Sequence, residues 1–327
     1  MIPGHATPAG THRFHARIEA SVALDHARPF RDLSLSSVGI GTYLGELDDA
    51  TDAGYTAAVS RALELGINVV DTAINYRAQR SERAVGRALG TVGLLRDELL
   101  VASKAGFLPF DHVRPADAAA YFRATYVDTG LIPPDELVAS CHSIAPRFLA
   151  DQLARSRANT NLATLDVYYV HNPETQLDEV DRPTFLSRMR AAFTALEAAA
   201  SAGAIRWYGT ATWSGFRVPP TARNHLDLAE LVALAREVAG DAHHFAFVQL
   251  PINPAMPEAI SLPTQRGRTL LRAASELGLH VMSSSSIHQG RLPATLADTR
   301  TLPGLGTALV GASRPAHVDA NAASFRR

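Results

Sequence analysis

Short apolar segments alternate with amphipathic segments along most of the chain. Between residues 51 and 65, Tyr55, Val59, Ala62 and Leu63 recur at a spacing of three to four residues. This spacing places them on one face of a helix, and a short unbroken apolar run is typical of a buried strand. Such a run follows the helix and ends abruptly at Asp71. The pattern therefore predicts a helix followed by a buried strand.

The same alternation continues towards the end of the chain. It predicts eight strands, at residues 35–41, 67–71, 99–104, 165–170, 205–209, 245–250, 279–283 and 307–310. It predicts helices at residues 51–65, 81–89, 147–161, 184–202, 226–239, 267–277 and 315–323, with Ser81 as an N-cap and Gly90 just past a helix end. Eight strands with helices between them and no hairpin signals indicate one α/β domain, a (β/α)8 TIM barrel spanning residues 1–327.

Two stretches depart from the alternation. Residues 1–30 are polar and interrupted by Pro and Gly, so we expect a loose tail followed by a hairpin. Residues 105–146 form a long insertion after the third strand, rich in proline and aromatic residues. A loop of this length in a compact domain usually has a function. Either a lid over a substrate or a contact between subunits would explain its aromatic residues.

Composition excludes several classes of protein. The chain has 31 Lys+Arg against 32 Asp+Glu, whereas a nucleic-acid binder carries a basic field. No apolar run has the length of a membrane span, and the N-terminus lacks a signal-peptide core. The single cysteine, Cys141, fits a reducing compartment. The histidines lack the spacing of metal ligands. We therefore expect a soluble, cytoplasmic protein without a metal site.

Polar residues end three of the predicted strands. Asp71, Lys104 and His171 end the second, third and fourth strands, and Tyr76 lies on the loop after the second. The carboxyl ends of barrel strands build the active site, so we expect these four side chains to converge. The ammonium of Lys104 should lower the pKa of the Tyr76 phenol, with Asp71 holding the lysine. This set suits proton transfer to a carbonyl while a nicotinamide cofactor delivers hydride.

The motifs around these residues resemble those of the aldo-keto reductase superfamily. The resemblance covers roughly residues 35–325 and rests on DTAINY, SERAVGRAL, ASKAG, LDVYYVHNP, FVQLPIN and ALVGASRPAHVDAN. It implies that Tyr76 is the general acid, that Lys104 and Asp71 tune it, and that His171 orients a small-molecule carbonyl or alcohol substrate. The implied cofactor is NADP(H), with NAD(H) as the alternative.

The resemblance also implies residues that bind cofactor and substrate. Those matched to the cofactor are Gln249, Thr42, Thr212, Ser284, Gly311, Ser313, Arg314, His317 and Asn321, and those matched to the substrate are Tyr43, Phe107 and Trp213. Some positions depart from the family. Ala211 and Thr212 stand where a Ser-Asn pair is usual, Ser284 stands where an aromatic residue stacks on the nicotinamide, and Ala320 replaces a glutamate.

These departures leave two alternatives open. The protein could be a nicotinamide-binding regulatory subunit without catalysis, or an enzyme that retains its cofactor while eliminating or epimerising a sugar-like substrate. The sequence ends shortly after Asn321, short of the C-terminal loop that many relatives fold over the substrate. We expect residues 105–146 to take the place of that loop.

Overall fold

Eight parallel strands close into a barrel in the computed structural model, which describes residues 1–91 and 93–327. The strand order around the barrel follows the chain, and the last strand pairs with the first. The strands are β3 (Val38–Gly41), β4 (Val69–Asp71), β5 (Leu100–Ala105), β6 (Leu165–His171), β7 (Ile205–Ala211), β8 (Phe245–Pro251), β9 (His280–Ser284) and β10 (Thr307–Gly311). The predicted TIM barrel is confirmed.

Helices surround the barrel and bury their apolar faces against the strands. Most strand connections carry a helix of about two turns or more, but the connection from β9 to β10 carries only two 3-10 turns and the single turn of α10. The helices are α1 (Pro8–Ile18), α2 (Asp49–Glu64), α3 (Arg80–Thr91), α4 (Ala118–Phe122), α5 (Pro146–Thr160), α6 (Arg182–Ser201), α7 (Leu228–Ala239), α8 (Glu258–Ser261), α9 (Leu270–Glu276), α10 (Leu296–Thr299) and α11 (Pro315–Ala322).

The N-terminal segment differs from the prediction. The expected loose tail contains α1, whose N-cap Thr7 accepts a hydrogen bond from the Gly10 amide. The hairpin lies later than expected, with β1 (Ala27–Phe30) antiparallel to β2 (Leu33–Ser36). It packs Phe30 against the barrel residues Trp207 and Phe247. The hairpin therefore seals the amino-terminal end of the barrel, opposite the end where the polar strand termini lie.

Two local predictions about α3 are wrong. Ser81 lies inside the first turn of the helix, and its hydroxyl donates to the carbonyl oxygen of Thr42 at 2.6 Å. Gly90 is helical and does not adopt the left-handed conformation expected of a C-terminal cap. The hydroxyl of Ser81 thus fastens α3 to the loop after β3, which carries two of the predicted site residues.

The 105–146 insertion is more ordered than predicted. It contains α4, a π-helical turn at Arg123–Val127 and a 3-10 turn at Pro134–Glu136. Most of its aromatic rings pack on one another or on Phe148. It has a small core of its own, built from Leu108, Tyr126, Ile132, Ala145 and Phe148. The internal packing therefore explains most of the aromatic residues that suggested a lid.

Residues 1–91 and 93–327 contain neither a membrane-spanning helix nor a cluster of metal ligands. Within these ranges, no helix combines the length and the apolar character that crossing a bilayer requires. The same ranges contain no group of three or more His, Cys, Asp or Glu side chains arranged to hold a metal ion.

Candidate active site

A buried ion pair joins the ends of β4 and β5. These strands are neighbours in the barrel, and Asp71 pairs with Ala102. Lys104 lies two residues further along β5 on the same face, so its side chain reaches the Asp71 carboxylate. Lys104 Nζ donates to Asp71 Oδ2 at 2.6 Å and to the Thr72 carbonyl oxygen at 2.8 Å. Lys104 is fully buried, and it is the only lysine in the sequence. Burial lowers the pKa of its ammonium, and the carboxylate of Asp71 opposes that shift.

Tyr76 lies directly above this pair. Lys104 Nζ is 4.9 Å from the centroid of the Tyr76 ring. Desolvation and the negative charge of Asp71 raise the pKa of the Tyr76 phenol well above its usual value. The prediction from the sequence that Lys104 lowers this pKa is wrong, because desolvation and the Asp71 carboxylate dominate. The phenol therefore keeps its proton at neutral pH, as a proton donor must.

His171 ends β6, and its side chain faces Tyr76. Its ring meets the Tyr76 ring edge-on at 5.9 Å and the Phe107 ring at 5.2 Å between centroids. Burial and the charge of Lys104 lower the pKa of His171 well below its usual value. The imidazole is therefore neutral, and it can donate a hydrogen bond to a carbonyl oxygen without carrying a charge.

A cavity of about 940 Å³ opens above these residues. Most residues that the sequence analysis selected line it, but two do not. Lys104 lies beneath the cavity floor, and Arg314 is exposed and outside the lining. The selected residues that do line it are Thr42, Tyr43, Asp71, Tyr76, Phe107, His171, Thr212, Trp213, Gln249, Ser284, Gly311, Ser313, His317 and Asn321. Phe107 is the one lining residue contributed by the insertion among the described residues.

Gln249 connects the ion pair to the far side of the barrel. Its Nε2 donates to Asp71 Oδ1 at 2.9 Å, so both carboxylate oxygens of Asp71 have partners. The backbone carbonyl oxygen of Gln249 accepts a hydrogen bond from the backbone amide of Thr212 at 2.8 Å. No described residue donates to the side-chain oxygen Oε1 of Gln249. This oxygen is therefore available to an amide group in the cavity, such as the carboxamide of a nicotinamide ring.

The other end of the cavity is built from β10 and the start of α11. Gly311, Ser313, His317 and Asn321 line it. A Cβ atom on Gly311 would meet nothing within 4 Å, so the backbone there is open to a ligand. Within the described ranges, the amides of Ser313 and Arg314 donate to no protein acceptor. Free amides at a helix start suit a phosphate group, so the residues present fit a dinucleotide.

The structure adds lining residues that the sequence analysis missed. Asn172 follows His171 directly, and the strand-end argument that selected His171 applies equally to it. Asn75 precedes Tyr76 on the same loop, and Oδ1 of its side chain is buried without a hydrogen-bond partner in the described structure. The loop after β9 contributes Ser285, Ser286, Ile287, Gln289 and Gly290. Its backbone is left-handed at Ser285, His288 and Gln289, which no sequence signal indicates.

Glu174 is a buried carboxylate that shapes the cavity edge. Its Oε1 accepts from the backbone amides of Trp213, Ser214 and Gly215 at 2.7, 2.9 and 3.2 Å. Burial raises the pKa of Glu174, and these amides oppose the shift. The contacts fix the loop that presents the half-exposed Trp213 ring at the cavity.

Fold and site together define a class: (β/α)8 barrels with a Tyr-Lys-Asp-His set at the carboxyl ends of the strands. Residues 37–301 match the model of the aldo/keto reductase family. The chain belongs to this family.

Curated relatives match over short segments, and each match spans about a quarter of the relative's length. A 2,5-diketo-D-gluconic acid reductase B of Corynebacterium sp. is 37% identical over 84 residues, 26% of each chain. An aldo-keto reductase of Mycolicibacterium smegmatis is 44% identical over 73 residues, 22% of this chain and 23% of the relative.

Solved structures support the same fold over most of the chain. An aldo/keto reductase from Klebsiella pneumoniae, crystallised with NADP and acetate, aligns with a TM-score of 0.61 and 20% identity, covering 91% of this chain and 89% of that one. A glycerol dehydrogenase from Gluconobacter oxydans aligns with a TM-score of 0.61 and 17% identity, covering 92% and 90%. At this identity the likeness concerns the fold alone.

Proposed function

We propose that this protein is an NAD(P)H-dependent oxidoreductase that reduces a carbonyl group, or oxidises the corresponding alcohol. The observation that carries the proposal is the buried Asp71–Lys104 ion pair directly beneath the Tyr76 ring, at the floor of a cavity large enough for a dinucleotide and a small substrate. A functional acid needs a proton at working pH and an acceptor within reach, and this arrangement supplies the first requirement.

In this reaction the carbonyl oxygen of the substrate binds between the Tyr76 hydroxyl and the His171 ring. His171, being neutral, donates a hydrogen bond that polarises the carbonyl. When bound, a reduced nicotinamide would supply hydride to the carbonyl carbon. As the oxygen gains negative charge, Tyr76 transfers its proton to it, and the adjacent Lys104 ammonium stabilises the resulting phenolate. Solvent then returns a proton to Tyr76.

We propose NADP(H) as the cofactor, with NAD(H) as the alternative. Gln249 Oε1 would hold the carboxamide and the Ser313–Arg314 backbone would hold a phosphate. The Klebsiella relatives crystallised with NADP or NADPH support the first choice. Among the described residues no lysine or arginine lines the cavity, and His317 lines it at the end that would hold the phosphates. The substrate is a small carbonyl compound or alcohol, and the sugar-acid and glycerol relatives favour a hydroxylated one.

The test is a titration of the purified protein with NADPH and NADH, followed by nicotinamide fluorescence, and then turnover with a panel of hydroxylated and aromatic aldehydes. We expect binding of NADPH in the micromolar range and oxidation of bound cofactor when a carbonyl is added. Absence of binding of either cofactor at millimolar concentration would overturn the proposal. Tight binding without turnover of any carbonyl would favour the regulatory alternative.

Phe107 provides a test of the substrate side. Its ring packs edge-on against His171 and lines the cavity, so Phe107→Ala should remove a wall next to the substrate. We expect the KM for the best carbonyl to rise about tenfold, while the Kd for the cofactor stays unchanged. Phe110→Ala is the matched control because that ring packs within the insertion, stacked on Phe122. Equal effects of the two substitutions on KM would contradict a substrate wall at Phe107.

A further inference from the structure

A chain of hydrogen bonds connects the insertion to His171. Nε2 of His142 lies 2.8 Å from the backbone carbonyl oxygen of His171. Nδ1 of His142 lies 2.9 Å from Nε2 of Gln176, and Oε1 of Gln176 lies 2.7 Å from a guanidinium nitrogen of Arg188. The other terminal nitrogen of Arg188 donates to the carbonyl oxygen of Asp135 at 2.6 Å. The hydrogen-bond chain thus starts in the insertion at Asp135, leaves it through Arg188 and Gln176, and returns to it at His142. From His142 it reaches His171 in the proposed substrate site.

The chemistry of its two ends fixes the direction of every bond. A guanidinium can only donate, so Gln176 must present its oxygen to Arg188 and its amide nitrogen to His142. A backbone carbonyl can only accept, so His142 must carry its proton on Nε2 and leave Nδ1 as the acceptor. His142 is fully buried, and burial lowers its pKa to about 4. A neutral ring with one defined tautomer therefore occupies this position at neutral pH.

The backbone at Gly106 packs closely against both His142 and His171. Gly106 has φ +150°, and a Cβ atom there would lie 2.6 Å from the His171 carbonyl oxygen and 2.9 Å from His142 Nε2. Only glycine allows this approach. The Phe107 ring packs edge-on against the rings of both His142 and His171, at 5.0 and 5.2 Å. His142 thus contacts both His171, through its backbone, and Phe107, which forms the aromatic wall of the cavity.

We propose that His142 is a positioning residue that holds His171 and Phe107 in place for the substrate, and that Arg188, acting through Gln176, fixes its orientation. The inference rests on the proposed function, because it assigns His171 and Phe107 to the substrate. It gives the insertion a role as a support for one wall of the cavity, in place of the lid that its length suggested.

Two substitutions of His142 separate the role from mere packing. In His142→Gln the amide nitrogen reaches the place of Nε2 and can still donate to His171. In His142→Asn the shorter amide reaches only the place of Nδ1, keeps its contact with Gln176 and loses the bond to His171. We expect KM for the carbonyl to rise about three- to tenfold in His142→Asn, as for one lost hydrogen bond, and to stay within about twofold of wild type in His142→Gln.

Arg188→Ala extends the test to the far end of the chain, with Arg190→Ala as the control. Arg190 lies on the same helix, α6, but it is exposed and pairs with Glu237. We expect Arg188→Ala to raise KM and Arg190→Ala to leave it unchanged, with the cofactor Kd constant in both. Partial unfolding would lower the amount of active protein and therefore kcat alone. An unchanged KM in both His142→Asn and Arg188→Ala would overturn the proposal.

A spectroscopic measurement tests the same chain without relying on activity. In protein labelled with ¹⁵N-histidine, long-range ¹H–¹⁵N correlations distinguish the two neutral tautomers. We expect His142 to carry its proton on Nε2, and the signals of His142 and His171 to shift in Arg188→Ala but not in Arg190→Ala. An Nδ1 proton on His142 would overturn the inference. If the wild type reduces no carbonyl, the proposed function fails while this measurement still decides the hydrogen-bond chain.

Discussion

Replacing Tyr76 by Phe should lower kcat by about 10²- to 10⁴-fold, the range that a general acid contributes. The substitution removes only the hydroxyl, so the ring still covers Lys104 Nζ and still meets His171 edge-on. The Kd for NADPH should therefore change less than threefold. The measurement is a single-turnover assay with bound NADPH and an excess of the best carbonyl, combined with a fluorescence titration of the cofactor.

Tyr208→Phe is the matched control for this experiment. The Tyr208 hydroxyl is buried and has no hydrogen-bond partner in the described structure, and its ring packs against Phe193 and Phe245, away from the cavity. Its removal should leave kcat within twofold of wild type. Comparable losses of kcat in the two variants would show that the loss follows from removing any tyrosine hydroxyl of the barrel and not from the proton of Tyr76. Wild-type turnover in Tyr76→Phe would exclude Tyr76 as the acid.

Breaking the buried ion pair should have the largest effect on stability. Lys104→Met leaves the Asp71 carboxylate buried with the Gln249 amide as its remaining side-chain partner. The loss of one partner of a buried pair costs about 3–5 kcal/mol of unfolding free energy. The double variant Asp71→Asn with Lys104→Met removes both charges of this pair, so much of that stability should return. Activity should stay lost in both, because the phenolate of Tyr76 has no cation beside it.

Urea unfolding at pH 7, followed by circular dichroism, measures this difference. Arg190→Ala serves again as the control, because it breaks an exposed pair and should leave the midpoint unchanged. If the double variant is as unstable as Lys104→Met, the loss of unfolding free energy comes from packing and not from the unpaired charge. Recovery of turnover together with stability in the double variant would contradict the role assigned to Lys104.

Sequence periodicity predicted the barrel because the apolar pattern that identifies each strand or helix lies within that element. Each strand and helix has its own apolar pattern, and parallel topology then brings the strand ends together. Asp71, Lys104 and His171 were selected on that argument alone, and the structure brings all three to one point. The same argument extends to Asn172, which directly follows His171 and also lines the cavity.

The errors concern distances and solvation, which periodicity does not contain. The pKa of Tyr76 depends on how completely water is excluded and on how close Asp71 lies. Helix α1 is held by contacts distant in sequence, such as those of Arg13 and Arg17 with Glu98. The insertion aromatics pack with Phe148, beyond the segment in which they were counted. In each case the deciding partner lies elsewhere in the chain.

The burial of the chain's only lysine has a practical consequence for studying this protein. In the folded state the Lys104 amine is shielded completely, so amine-directed reagents have no lysine side chain to modify. Once the barrel opens, that amine becomes reactive. The covalent labelling of one residue, counted by mass spectrometry, therefore reports the opening of the substrate end of the barrel without any engineered probe. A cofactor that binds above Lys104 should slow this labelling, which would measure occupancy even when no substrate is known.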